Sequence, residues 1–309
     1  SAEEIEDRHR LGQGLTRPEI AMLLSYSKIA LNNQLIQSDV PEDPYLGQEL
    51  DRYFPDRLSQ PYAKRLGEHR LKREIIATAT TNSIVNRMGP TFVARTKQDT
   101  GADAAAVARA YTIAREAFEV RDLWQDIESL DTRVAATVQY SMAQDTLSLI
   151  RQVSYWLLQR HRSALGIDMQ VGRLRPGIRE LAGALPSWLQ GLERQAFDAR
   201  AASLGAAGVP PALARHVAAC SALQCAPDIV ELAQAHRISV AAAARAYFGI
   251  GAEFGLDWLR SRIEELDIQG HWQAVARNSL RETLYDAHRG LTEHVLRGTR
   301  ERDPARAVE

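Results

Sequence analysis

Lysine is nearly missing from this 309-residue chain: Lys28, Lys64, Lys72 and Lys97 are its only four, so the positive charge is almost all arginine. Together with abundant alanine, this reads first as the coding bias of a GC-rich genome. The net charge is −1, which leaves no global field to draw in nucleic acid or an anionic membrane. Cysteine is scarcer still. Cys220 and Cys225 stand without a second pair, which supports neither a zinc site nor a disulfide framework and fits a reducing cytoplasm. No run approaches the ~18 apolar residues of a membrane helix. The opening "SAEEIEDRHR" lacks both an initiator Met and a cationic-then-apolar signal pattern, and it is read as the cut end of a longer polypeptide.

The signatures of catalysis are missing too. There is no P-loop and no Gly-x-Ser-x-Gly elbow. The nearest approach to a dinucleotide loop is "GIGAEFG", with Gly249, Gly251 and Gly255. Its third glycine is one position late and it follows a helical "AAAARAYF", so a close helix contact or kink is expected there. The histidines at 9, 69, 161, 216, 236, 271, 288 and 294 form no i, i+4 pair, and His288 and His294 point to different sides of a helix. No metal site, no catalytic residue and no cofactor-binding residue is assigned. Carboxylates interleave with basic residues, as in "LERQAFDAR", the pattern of a solvated helix face.

What the chain does have is helical periodicity nearly everywhere, and strand alternation nowhere. The fold class is all-α, with no significant sheet. In "LTRPEIAMLLSYSKIALNNQLIQ", Thr16 and Glu19 form a capping-box pattern with Pro18 in the first turn. Met22, Tyr26, Ile29 and Asn33 share one side of that helix. Short helices are expected between Pro44, Pro55 and Pro61, and a longer one in "RLKREIIATATTNSIVNRMG", ending at Gly89.

One helical unit occurs twice. "DAAAVARAY" at 103–111 returns as "SVAAAARAY" at 239–247. Asp103 and Ser239 are the caps. Val107, Tyr111, Ala114 and Phe118 form one apolar stripe, and Ala243, Tyr247, Ile250 and Phe254 form the other. At the same offset of 136, Leu123, Ile127, Glu128, Leu130 and Asp131 match Leu259, Ile263, Glu264, Leu266 and Asp267. Each copy runs into a long helix, the second with a heptad-like seam of Leu280, Leu284, Ala287, Leu291 and Val295. The expected organisation is an N-terminal helical segment (1–100) packing on a first lobe. A first repeat (101–165), a helical connector (166–236) with Gly/Pro breaks near 172–177 and 205–211, and a second repeat (237–298) follow. The pseudo-repeated lobes themselves are 103–162 and 239–297, and residues 299–309 form a disordered tail.

Two groups of side chains carry hypotheses. Asn82 and Asn86, one turn apart and followed by Arg87, form either a buried polar network or interface, or an exposed fraying turn. Arg109 and Arg245, at equivalent places in the repeat, either bridge a partner's carboxylates or lay their stems over the apolar stripe with their heads in water. In both cases the structural reading is expected.

Four segments together, "GQGLTRPEIAMLLSYSKIAL", "LKREIIATATTNSIVNRMGPTFV", "AAAVARAYTIAREAF" and "GLDWLRSRIEELDIQGHWQAVARNSL", resemble the C-terminal helical region of the large bacterial NAD-specific glutamate dehydrogenases. The resemblance runs from about Leu11 to Arg297 and is weakest at 166–215. It implies a parent enzyme converting L-glutamate, NAD and water to 2-oxoglutarate, ammonium and NADH, with its catalytic groups and NAD loop upstream. It implies a segment inactive alone that supports subunit assembly or interdomain communication by contacting its own catalytic domain and neighbouring subunits of a homo-oligomer. The alternatives are a small-molecule effector site in an arginine-lined cleft between the two lobes, and an unrelated helical adaptor. Nucleic acid and membrane are not expected partners.

Overall fold

The computed structural model describes residues 8, 10–55, 57, 61–62, 65–268 and 270–300. Among them the chain is all-α, without a strand. In chain order the helices are α1 (Arg17–Ile36), α2 (Gln48–Tyr53), α3 (Lys72–Met88), α4 (Phe92–Thr100), α5 (Ala104–Ala117), α6 (Val120–Glu128) and α7 (Ala136–Arg160). They continue as α8 (Ile167–Ala184), α9 (Gly191–Ala206), α10 (Pro211–Ala222), α11 (Ala226–His236), α12 (Val240–Glu253), α13 (Leu256–Glu264) and α14 (His271–Arg300). The helix α14 enters the expected tail by two residues. The rest of that tail, 301–309, His9, and the neighbourhoods of Pro55 and Pro61 in part, lie outside the described residues.

Local chemistry sets several of these boundaries. The Thr16 N–H donates to Glu19 Oε2 at 2.7 Å and the Thr16 hydroxyl to the same oxygen at 2.6 Å, so α1 starts where its capping box stands. These bonds hold the Glu19 carboxyl below its usual range. The Asp103 carboxylate accepts from Ala106 N–H at 2.7 Å, and the Ser239 hydroxyl accepts from Ala242 N–H at 3.1 Å. Both repeats therefore open on satisfied caps. Of the expected breaks, 205–211 interrupts the chain between α9 and α10, whereas 172–177 does not: α8 runs through Gly172, Pro176 and Gly177. The buried stripe Val171, Leu174, Ile178 and Leu181 holds it. A Cβ on Gly177 would stand 2.7 Å from a Val230 methyl, so the glycine that weakens the helix also permits close packing.

The two copies share element bounds at the offset of 136: Ala104–Ala117 with Val240–Glu253, and Val120–Glu128 with Leu256–Glu264. Between the paired helices stand Glu119, φ 52°, and Gly255, φ 64°, both left-handed. Such a backbone costs a non-glycine residue roughly 1–2 kcal/mol. Glu119 is anchored there by Arg179, whose Nε donates to Glu119 Oε2 at 2.9 Å.

The described residues fall into two compact units. One comprises Ser1–Thr112 with Tyr155–Ile167, the other Ile113–Ser154 with Asp168–Glu309. In the first, α1 and α2 pack on α3, burying Leu31, Leu35, Leu50, Ile76 and Ile84. Tyr111, from α5, donates to the Ser83 carbonyl at 3.1 Å and pairs with the Ser83 hydroxyl at 2.9 Å. Ile20, Met22, Tyr26 and Ile29 of α1 remain exposed.

In the second unit α9 packs on α10, α11 on α12, and α12 and α13 on α14. The Arg115 guanidinium is almost fully buried there and lies 2.8 Å from Glu116. Arg121 donates to the same carboxylate at 2.7 Å. Burial raises the Glu116 pKa, but Arg115 and Arg121 outweigh it, so the carboxyl stays below its usual range. Both thiols are buried and free. Burial pushes Cys220 up to about 12 and Cys225 well above its ordinary value, which removes thiolate reactivity at neutral pH.

Candidate functional site

The side chains singled out in the sequence fall in both units, Asn82, Asn86, Arg87 and Arg109 in the first and Arg245 in the second. Asn82 is half-buried, and Asn86 and Arg87 are exposed on the last turn of α3. Arg245 is exposed on α12. Arg109 bridges carboxylates of its own unit, Asp39 at 2.8 Å and Asp43 at 3.6 Å. Its hydrogen bond and charge hold the Asp39 carboxyl below its usual range. The equivalence of Arg109 and Arg245 in sequence is therefore not an equivalence of role.

The glycine cluster at 249–255 does not fit a dinucleotide. Gly249 and Gly251 lie within α12, and a Cβ on Gly251 would meet His288 Cε1 at 3.0 Å. The room that a phosphate would need is filled by an imidazole. His288 stacks on Tyr247, ring centroids 3.6 Å apart, and its Nε2–H donates to the Tyr247 carbonyl at 2.8 Å. The close helix contact is what these glycines serve.

Sequence reasoning missed the individual residues of a polar cavity of about 330 Å³ within the second unit. Four arginines line it, Arg151, Arg260, Arg277 and Arg281, against two carboxylates, Asp145 and Glu264. Helical spacing puts them together: Asp145 and Gln152 lie on one side of α7, Arg260 and Glu264 are one turn apart on α13, and Arg277 and Arg281 one turn apart on α14. The long helix of the first copy thus faces the connector and long helix of the second. Both carboxylates are engaged. Arg200 donates to Asp145 at 2.6 and 3.0 Å, and Arg281 donates to Glu264 at 2.5 and 2.8 Å. Arg260 lies 2.8 Å from Glu193. Burial raises the Asp145 and Glu193 carboxyls above their usual range, with Arg200 and Arg260 opposing it in part. Arg277 differs. Its Nε is sealed from solvent with no hydrogen-bond acceptor, and its Nη1 reaches only the Glu264 carbonyl at 3.5 Å. One signal in the sequence marks this place: position 124 is Trp in the first copy, and its partner at offset 136 is Arg260.

The second copy also leaves an apolar face open. Phe118, Leu123 and Leu130 are buried, whereas their counterparts Phe254, Leu259 and Leu266 are exposed, Phe118 at 6% and Phe254 at 62%. The expected stripe therefore fails at Phe254. In the first copy α6 packs on α10 and buries Val120, Leu123, Trp124 and Ile127; α13 buries only Ile263. Trp258 is exposed beside them, and Trp272 is 80% exposed. The seam on α14 is likewise mostly outward. Leu284 is buried with Tyr285, His288 and Thr292, while Leu280, Leu291 and Val295 are exposed.

The family described as "Glutamate dehydrogenase, C-terminal" matches residues 12–309. Relatives called NAD-specific glutamate dehydrogenase are 38% identical in Halomonas elongata and in Pseudomonas aeruginosa, and 28% identical in Mycobacterium tuberculosis. Each alignment covers 96% of this chain and 18% of the relative, so the chain spans less than a fifth of their length. With its match running from residue 12 to residue 309, the chain belongs to the glutamate dehydrogenase C-terminal family.

Proposed function

We propose that this chain is the C-terminal helical part of an NAD-specific glutamate dehydrogenase, whose whole polypeptide converts L-glutamate, NAD and water to 2-oxoglutarate, ammonium and NADH in the cytoplasm. Substrate and NAD bind in the remaining polypeptide; this segment is inactive alone. Its role is assembly: it docks on its own catalytic domain or on a neighbouring subunit of a homo-oligomer, within a duplicated pair of helical lobes. The open apolar face of the second copy carries this reading. Side chains such as Phe254, Leu259 and Leu266, whose equivalents are covered in the first copy, form the kind of exposed patch that marks an interaction surface. Leu280, Leu291 and Val295 of the α14 seam are exposed apolar side chains as well. In the first unit Asn82, Asn86 and Arg87 are the corresponding polar candidates.

The test is to mix this chain with the remaining polypeptide expressed without it, and to measure mass by light scattering and dehydrogenase activity. A stable complex is expected, weakened by the double substitution Phe254→Ser, Trp258→Ser. A remaining polypeptide that assembles and works normally alone, and does not bind this chain, removes the assembly role.

A further inference from the structure

Helix α1 carries apolar side chains on two opposite sides. One side holds Leu31 and Leu35, buried where the helix packs on α3. The other holds Met22, Tyr26, Ile29, Asn33 and Ile36, spaced four, three, four and three residues apart. That is the a/d spacing of a coiled-coil seam, with Tyr26 and Asn33 at a and Met22, Ile29 and Ile36 at d. Met22 is 57%, Tyr26 65% and Ile29 56% exposed, and Asn33 is exposed beside them. A helix that is apolar on both sides is ordinarily covered on both.

The polar side chains of α1 indicate what covers the outer one. Lys28 is the only charged residue from Ile20 to Ile36, and it stands at c, off the seam. The flanking e and g positions hold Leu23, Ser25, Ala30 and Asn32, so an identical helix alongside meets no like charge. The Ser25 hydroxyl donates to the Ala21 carbonyl at 2.9 Å, and the Asn32 carboxamide accepts from Thr78 at 3.3 Å. One heptad earlier the a position is Glu19, which is held by Thr16 and lies 3.1 Å from Arg8, so the seam ends there. Asn33 is the single polar residue within it. A carboxamide has donors and an acceptor together, so it is complementary to itself, and one Asn at an a position fixes register and strand number. A lipid surface would call for basic residues along the edges of the stripe, which α1 lacks.

We propose that α1 is a dimerisation helix. Its seam from Met22 to Ile36 pairs, parallel and in register, with the same seam of a second molecule of this chain, and Asn33 faces the partner's Asn33. The same surface serves on both molecules, as a two-fold contact requires. The contact lies in the first unit and needs neither the dehydrogenase reading nor the Phe254 face.

The experiment is sedimentation equilibrium of the whole 309-residue chain over a dilution series. A mass approaching twice that of one chain is expected at high concentration, falling on dilution. Ile29→Glu, at an exposed position, is expected to weaken the dimer at least tenfold with an unchanged unfolding midpoint. The double substitution Phe254→Ser, Trp258→Ser is expected to leave the dimer intact, which separates failure of this contact from failure of the docking proposed above. Asn33→Cys is expected to give a disulfide-linked dimer on mild oxidation, since the parallel register brings the two positions together. Ala21→Cys, exposed but off the seam, is expected to give none, and both native thiols are buried. A monomer at every concentration overturns the proposal, as does a dimer that Ile29→Glu leaves intact. Equal cross-linking by Ala21→Cys and Asn33→Cys overturns it too.

Discussion

The imidazole of His288 lies flat against the phenol ring of Tyr247, with ring centroids 3.6 Å apart and planes inclined by 25°. Burial at this contact pushes the His288 pKa down to about 4, although the hydrogen bond to the Tyr247 carbonyl works the other way. The folded state therefore keeps the ring neutral, whereas the unfolded chain protonates it near 6.5. Stability from this group is whole above about pH 6.5 and declines as pH falls toward 4, by about 3 kcal/mol in all. Urea unfolding at pH 7, 6, 5 and 4 is expected to show that loss, and His288→Asn to flatten it. Gly251→Ala acts on the same contact: its methyl meets the imidazole at 3.0 Å and is expected to cost about 1–3 kcal/mol at pH 7.

Tyr111 and Tyr247 occupy the same place in the two copies but are not equally satisfied. Tyr111 exchanges hydrogen bonds with Ser83, whereas the Tyr247 hydroxyl is buried with no partner. Tyr111→Phe is expected to destabilise by about 1 kcal/mol, and Tyr247→Phe to be neutral or stabilising by a similar amount. Chemical denaturation of the two variants side by side decides it.

Glu116 faces the most buried guanidinium of the second unit. Replacing it with Gln removes the carboxylate that lies 2.8 Å from the buried Arg115 guanidinium, and the expected loss is about 3–5 kcal/mol. Arg121→Gln removes a half-exposed partner of the same carboxylate and is expected to cost about 1 kcal/mol or less. Melting curves with equal losses for the two variants would contradict this ordering.

Phe118 and Phe254 make the same comparison for the apolar face. Phe118→Ala is expected to cost about 3–5 kcal/mol. Phe254→Ala is expected to change the stability of the isolated chain by less than about 0.5 kcal/mol, with any effect read instead in association with the remaining polypeptide. A large stability loss at Phe254 would mean that the face is internal.

Helix identity and helix bounds were legible because they depend on neighbours in sequence. Thr16 with Glu19, Asp103 and Ser239 cap the helices they precede, and the offset of 136 carries helix ends as well as residues. The break expected at 172–177 was misleading because Pro176 and its glycines weaken a helix locally, while the stripe from Val171 to Leu181 restores it by packing. The candidate residues fared similarly. Arg109 found Asp39 and Asp43, some 66 to 70 positions away in the chain, a pairing that no local pattern announces. The arginines of the cavity come from three helices, each unremarkable alone.

The sequence by itself determined an all-helical chain, a helical motif that recurs at an offset of 136, and its family, since periodicity, caps and motif order are written along the chain. Only the tertiary structure decided which copy covers its apolar stripe, which tyrosine hydroxyl is satisfied, and where arginines from distant helices meet. Those outcomes depend on which surfaces come together, and Phe118 and Phe254 have the same local sequence setting until a neighbouring helix covers one of them and leaves the other in water.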